Sequence, residues 1–173
     1  MKFELTILGS GGAIPTVKKK PTAQFLNIQD RYFLVDCGEG TQLQLRKYKC
    51  KFLKINHILI SHLHGDHYLG LMGLLSSLNL LGRTTDLTIY APRDIQKLLD
   101  VHEAISKKGF SFKINVVALN FNEKTLFSNL LDDLINQNEV NAMIGSLCTR
   151  SKLKYGFENE NLFCKNPMKY VLN

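Results

Sequence analysis

Directly after an isoleucine-rich run that starts at His57, the chain reads Ser61-His62-Leu63-His64-Gly65-Asp66-His67, which sets three imidazoles and one carboxylate within six residues. No other short stretch constrains the fold as much. At the end of a strand, positions i and i+2 point the same way, so His62 and His64 converge. Gly65 permits a tight turn that returns Asp66 and His67 to the same space. Neutral imidazole and carboxylate are the ligand set of Zn²⁺. Four such groups in one small volume repel protons or each other unless a cation sits among them. The competing reading is a polar surface turn with incidental histidines. The apolar runs on both sides of the motif favour the metal.

Strand and helix signals alternate around this motif. Phe3–Leu8 reads as a strand running into Gly9, Gly11 and Gly12, where positive φ costs little. Ala23–Ile28 and Arg31–Asp36, separated by Gln29-Asp30, predict a hairpin. Cys37-Gly38-Glu39-Gly40-Thr41 turns the chain into a helix over 41–49, and His57–Ser61 is a strand. One helix is expected over Asp66–Leu80, with Leu71, Leu74, Leu75 and Leu78 at helical spacing. Asp86–Tyr90 reads as a strand, Pro92 as the opening of a helix over 93–106, and Ser111–Leu119 as a closing strand. The alternation makes the class α/β. From about Glu123, apolar residues recur with helical period at Leu126, Phe127, Leu130, Leu131, Leu134 and Ile135, then at Val140, Met143, Ile144 and Leu147. One or two amphipathic helices are expected there, before a loop-rich end through Gly156 and Pro167.

The net charge of +7 is unevenly placed. Residues 1–129 hold 17 Lys and Arg against 10 Asp and Glu, whereas residues 130–173 hold five of each. The basic excess therefore shares one part of the chain with all five histidines, and a basic surface suits a polyanion such as nucleic acid. With 45% apolar and 21% charged residues the composition is that of a globular chain, not a disordered one. No apolar run approaches the ~20 residues of a membrane-spanning helix. The N-terminus lacks the pattern of a secretory signal. Cys37, Cys50, Cys148 and Cys164 lie far apart and read as reduced thiols of a cytoplasmic protein.

Several longer phrases resemble a known family. Ile7-Leu8-Gly9-Ser10-Gly11-Gly12-Ala13-Ile14-Pro15-Thr16, Asp36 to Gln44, Ile60 to Gly70 and Leu87 to Pro92 resemble ribonuclease Z, within the metallo-β-lactamase superfamily. The resemblance covers residues 1 to about 129. It implies the N-terminal half of a metallo-β-lactamase-type αββα sandwich, over residues 1–125; the helical tail of 126–173, read from its period, is unrelated to the family and of unknown role. It implies zinc-dependent hydrolysis of precursor tRNA after the discriminator nucleotide, leaving a 3′-hydroxyl on the tRNA and a 5′-phosphate on the trailer. In that scheme His62 and His64 ligate a first zinc, and Asp66 and His67 a second. Asp66 also accepts the proton, and Asp36 hydrogen-bonds a ligand and fixes its orientation. Lys18, Lys19 and Lys20 read either as groups that neutralise substrate phosphates or as a solvated loop after Pro15. A homodimer is expected, because half a sandwich exposes an apolar sheet face that the C-terminal helices or a second subunit must cover.

The family takes further ligands from downstream, a histidine, a bridging aspartate and a final histidine, yet no histidine follows His102. The six-residue motif supplies parts of two coordination spheres and closes neither. Asp132, Asp133 and Cys148 are chemically competent substitutes, but amphipathic helices place such charges on solvated faces. Two further classes stay open: a family member that folds without turnover, and another hydrolase of the superfamily acting on a small phosphodiester or ester. Away from the motif, His57 is expected packed or half exposed and His102 on a helix surface. Cys148 and Cys164 are expected inert, and Glu39 reads either as a group that caps a helix or meets its dipole or as a catalytic carboxylate. Phe110 and Phe112, beside Lys107, Lys108 and Lys113, are read as core rather than as a stacking platform.

Overall fold

In the computed structural model the described residues are 3–119 and 169–172. The chain divides into two compact units, Met1–Leu119 with Pro167–Asn173, and Asn120–Asn166. The first holds a seven-stranded mixed sheet of order β6-β5-β4-β3-β2-β1-β7. Its strands are β1 (Phe3–Gly9), β2 (Ala23–Ile28), β3 (Arg31–Val35), β4 (Ile55–Leu59), β5 (Leu87–Ala91), β6 (Ile114–Ala118) and β7 (Lys169–Leu172). The helices are α1 (Thr41–Lys47), α2 (Gly65–Tyr68), α3 (Leu71–Leu80) and α4 (Ile95–Ser106), with a single 3₁₀ turn at Phe52–Lys54. Strands β3 to β6 run parallel, and β1, β2, β3 and β7 are paired antiparallel. The α/β class and the half-sandwich sheet are as expected.

Local chemistry explains each junction. The β2–β3 hairpin turns on Gln29 and Asp30, both at positive φ (50° and 62°), the turn whose twist matches the flanking strands. Asp30 N–H donates to Asn27 Oδ1 at 2.9 Å and fixes it. Parallel neighbours need a crossover, and α1, α2 with α3, and α4 supply them. Leu71, Leu74, Leu75 and Leu78 of α3 are fully buried with Leu34, Ile58 and Ile89 of the central strands. The opposite sheet face carries Phe3, Leu5, Leu26, Ile28, Phe33, Leu59 and Tyr90, which are buried too. The expectation that the helices past residue 125 cover that face lies outside the described residues, as do those helices. No described helix is long and apolar enough to cross a membrane.

Three departures have physical causes. The single helix expected over Asp66–Leu80 is two, because His67 C=O accepts from Cys37 N–H (2.7 Å) and Gly70 N–H donates to Cys37 C=O (2.9 Å) in place of helical partners. Gly70 is needed there, since a Cβ would lie 2.0 Å from Gly38 O. β4 begins two residues before His57 and ends at Leu59; beyond it, Ser61 N–H turns to the Asp36 carboxylate rather than to a strand. Residues Lys169–Leu172 pair with Phe3–Thr6 as an edge strand, whereas the sequence pattern holds no strand signal there. Four residues with no alternation are set by their partner, not by propensity.

Arg83 pins the lower ends of β4 and β5. It is 5% exposed, donates to Thr85 O (2.8 Å), Leu53 O (2.9 Å), Asn56 Oδ1 (3.0 Å) and Asp86 O (2.7 Å), and lies over the Phe112 ring at 5.4 Å. Arg83→Ala strands these acceptors, so urea denaturation should show a loss of about 3 kcal/mol. Exposed Arg93→Ala should stay within about 0.5 kcal/mol.

Candidate metal centre

The loops after β3 and β4 meet at the carboxyl ends of two adjacent parallel strands, the usual place for a site in an α/β sheet. Asp36 closes β3 with φ 57°, a left-handed conformation that costs a non-glycine residue roughly 1–2 kcal/mol. Its hydrogen bonds hold it there. Asp36 N–H donates to Leu59 O at 2.7 Å. Its Oδ1 accepts from Ser61 N–H (2.9 Å) and Ser61 Oγ–H (2.8 Å), and Oδ2 lies 2.9 Å from His67 Nδ1. A carboxylate only accepts, so His67 presents its Nδ1–H to Asp36 and its Nε2 lone pair outward. Ser61 Oγ, having given its proton to Asp36, accepts from His62 Nδ1 at 3.0 Å. His62 thereby also turns its Nε2 lone pair outward.

The four motif side chains are brought together as two pairs. His62 Nε2 and His64 Nδ1 are 3.0 Å apart, and His67 Nε2 and Asp66 Oδ2 are 3.6 Å apart. The His62 and His67 ring centroids lie 3.9 Å from each other, so the two pairs adjoin. Donors about 2.0–2.2 Å from one tetrahedral zinc are separated by roughly 3.3–3.5 Å, and both pairs lie close to that spacing. The residues therefore fit zinc by twos. Among the described residues no group of three His, Cys, Asp or Glu is gathered to hold an ion.

The glycine-rich loop after β1 reaches into the same site. Ala13 N–H donates to Asp66 Oδ2 at 2.9 Å. This bond, with lesser help from His67 and His64, holds the Asp66 carboxyl below the usual carboxylate range. Burial, with the neighbouring His67 and His64 rings, lowers the pKa of His62. Both shifts leave the metal-binding form, ionised carboxylate and neutral imidazole, dominant at neutral pH.

Other expected residues fall in different places. Lys18 and Lys19 are exposed and Lys20 half-buried, on the loop whose Ala13 touches Asp66. Glu39 is exposed, and α1 is preceded by Gly40 with no side-chain cap, so the expected capping role is not seen: the Gly40 turn, φ 80°, takes that place. His57 stacks on Phe33 (5.3 Å) and lies tilted against Tyr90 (6.0 Å), apart from the cluster. His102 stacks on Phe110 at 5.0 Å, and Phe112 is buried, in keeping with a core role. Burial pushes the Cys37 thiol up to about 12, a protonated and inert sulfur. Asp132, Asp133, Cys148 and Cys164 lie outside the described residues. Ser61 and the Ala13 N–H are the two participants absent from the sequence expectations. A hydroxyl immediately before His62 is a signal for the first; a backbone donor leaves none.

Sheet order and site together define a metallo-β-lactamase-fold chain. Residues 3–109 match the family model described as Anti-Pycsar protein Apyc1, and the chain belongs to that family. The resemblance to ribonuclease Z also holds. The ribonuclease Z of Bacteroides fragilis is 56% identical over 98 residues, which is 57% of this chain and 32% of that protein. That of Parabacteroides distasonis is 41% identical over 131 residues, 76% of this chain and 42% of that protein. The crystal structure of human tRNase Z, short form, superposes with a TM-score of 0.61 at 35% identity, covering 66% of this chain and 45% of that one. The metallo-β-lactamase fold protein YhfI from Bacillus subtilis shares the fold, with a TM-score of 0.56 at 20% identity over 71% of this chain and 48% of that one. The chain thus spans about a third to two fifths of the length of these ribonucleases Z.

Asp36→Ala should lower stability by about 1–2 kcal/mol in urea denaturation, because two part-buried Ser61 donors and the His67 ring lose their shared buried acceptor. Long-range ¹H–¹⁵N spectra of the intact chain should show neutral His67 protonated at Nδ1, and the variant should shift it toward the Nε2 tautomer.

Proposed function

We propose that the chain is a zinc-dependent endoribonuclease that removes the 3′ trailer from precursor tRNA. The observation that carries this reading is the pairing of His62 with His64 and of Asp66 with His67 at one rim of the sheet, at 3.0 and 3.6 Å. Similarity to ribonucleases Z supplies the substrate. His62 and His64 would hold one zinc, and Asp66 and His67 another. Bound zinc lowers the pKa of water and neutralises charge on a phosphodiester in attack.

The remaining work falls to the chain itself. Asp36 fixes the tautomer of His67 through its carboxylate and that of His62 through Ser61, and such outer partners commonly change metal affinity 10–100-fold. The Asp66 carboxylate, ionised at neutral pH, would accept a proton from the attacking water as its oxygen bonds to phosphorus, while the bond to the tRNA 3′-oxygen breaks and that oxygen leaves as the 3′-hydroxyl, taking up a proton. Lys18, Lys19 and Lys20 neutralise neighbouring backbone phosphates. Homodimerisation, a cytoplasmic location and a boundary near residue 125 belong to the same reading. The reduced thiols of Cys37 and Cys50 suit a reducing compartment.

A second reading, a folded member without turnover, is favoured by donors gathered only in pairs among the described residues. Metal stoichiometry and a cleavage assay decide between them. With zinc, the full chain should release trailer from precursor tRNA, a chelator should abolish release, and Asp66→Ala should reduce it by about 10²-fold or more. Ser61→Ala should weaken zinc binding by about tenfold in calorimetry, with the fold intact. Turnover of a chromogenic phosphodiester without trailer release would make the chain a hydrolase of small phosphodiesters instead. Fewer than two zincs per chain together with no turnover on either substrate would establish the second reading.

A further inference from the structure

Residues 46–54, from the last turn of α1 through the 3₁₀ turn to the start of β4, carry Arg46, Lys47, Lys49, Lys51 and Lys54. No Asp or Glu occurs between Glu39 and Asp66. All five cations are exposed. Three are held by aromatic rings: Arg46 over Phe52 (5.7 Å), Lys47 over Tyr48 (5.3 Å) and Lys51 over Tyr32 (5.9 Å). Among the described residues, Asp30 accepts from the Tyr32 hydroxyl, and Asp86 meets Arg83 through its backbone carbonyl. A helix C-terminus welcomes cations, which accounts for Arg46 and Lys47 but not for the three that follow.

Lys49 shares its backbone conformation with Lys107, which ends α4 at φ 53° as well. It stands at φ 53° just past α1, where Cys50 N–H donates to Leu45 O and Lys49 N–H to Arg46 O. That is the helix-ending motif in which glycine is the ordinary occupant.

We propose that residues 46–54 form a docking face for the phosphate backbone of an RNA duplex. The inference rests on the endoribonuclease reading for its substrate, and adds a second point of attachment far from the chemistry. From Lys54 to Ser61 the chain climbs through β4, roughly 23 Å at strand rise. A small phosphodiester in the metal centre cannot reach this face, whereas a duplex stem can. Lys20, beside Gly40 at the head of α1, continues the positive track toward the site. Protein–protein interface cores are depleted in lysine, which argues against an acidic protein as the partner.

The test is binding of a labelled 12-base-pair RNA duplex to the full chain, followed by anisotropy from 50 to 200 mM KCl. The triple variant Lys47→Gln, Lys51→Gln, Lys54→Gln should bind at least tenfold more weakly at 50 mM salt. Its log–log salt slope should shrink by about one unit for each phosphate that is no longer neutralised. Lys49→Gly should melt at a higher temperature than the parent yet bind the duplex less tightly, opposite signs that a purely structural role cannot produce. Lys108→Gln, on another surface, should leave the slope unchanged. Chromogenic phosphodiester turnover should be the same in the parent and the triple variant. An unchanged slope in a triple variant that melts like the parent would overturn the proposal. So would displacement of the duplex by polyglutamate at equal charge, which would assign the face to an acidic polypeptide. Duplex binding without trailer release leaves the face standing and removes the endoribonuclease reading. Trailer release with equal KM in parent and triple variant does the reverse.

Discussion

The carboxylate of Asp36 is the junction on which the centre depends. It leaves β3 in a left-handed conformation and commits both oxygens to the next strand's loop, one to Ser61 and the other to His67. Without those bonds the conformation is unfavourable, and without that conformation the carboxylate does not face the histidine loop. Strain and network therefore support each other, as is common where side chains must be held for chemistry. The same residue orders two rings at once, His67 directly and His62 through a hydroxyl, so the orientation of the proposed zinc ligands is set by the protein itself.

Much of this is legible in the chain. The alternation of strand and helix, the Gln29-Asp30 hairpin and the convergence of His62, His64, Asp66 and His67 follow from period, turn chemistry and spacing. The break between α2 and α3 does not. Leu71 to Leu78 continue the helical period from Asp66, and only the approach of Gly38 to Gly70 shows why the backbone bonds of His67 and Gly70 go to Cys37. β7 is illegible for a related reason: an edge strand of four residues takes its state from β1. Ser61 escapes a reading by motif because a hydroxyl acts through its partners, and those partners lie 25 residues earlier and six residues later in sequence.

Glycines let the loops interlock around the centre. A Cβ on Gly38 would lie 2.4 Å from Asp66 O and from Pro21 Cβ, and one on Gly9 would lie 1.8 Å from Pro21 O. The loops after β1, β3 and β4 thus touch backbone to backbone, and Asp66 receives the Ala13 N–H because of it. Rigid scaffolding of this kind places a carboxylate more reliably than side-chain packing alone.

The pairing of donors sets what the described residues can do by themselves. Two neutral ligands, or one neutral and one anionic, leave a zinc ion short of the three protein ligands of an ordinary catalytic site. Affinity from a preorganised pair is therefore partial, and any further donor that completes a sphere contributes binding energy that is at the same time folding energy. On the proposed zinc reading, metal would therefore act on stability as well as on chemistry. Burial and the two imidazole neighbours lower the pKa of His62, so the lone pair that Ser61 turns outward stays available further into acid than that of an unperturbed imidazole. The hydroxyl and the ring thus form one hydrogen-bonded unit anchored on Asp36.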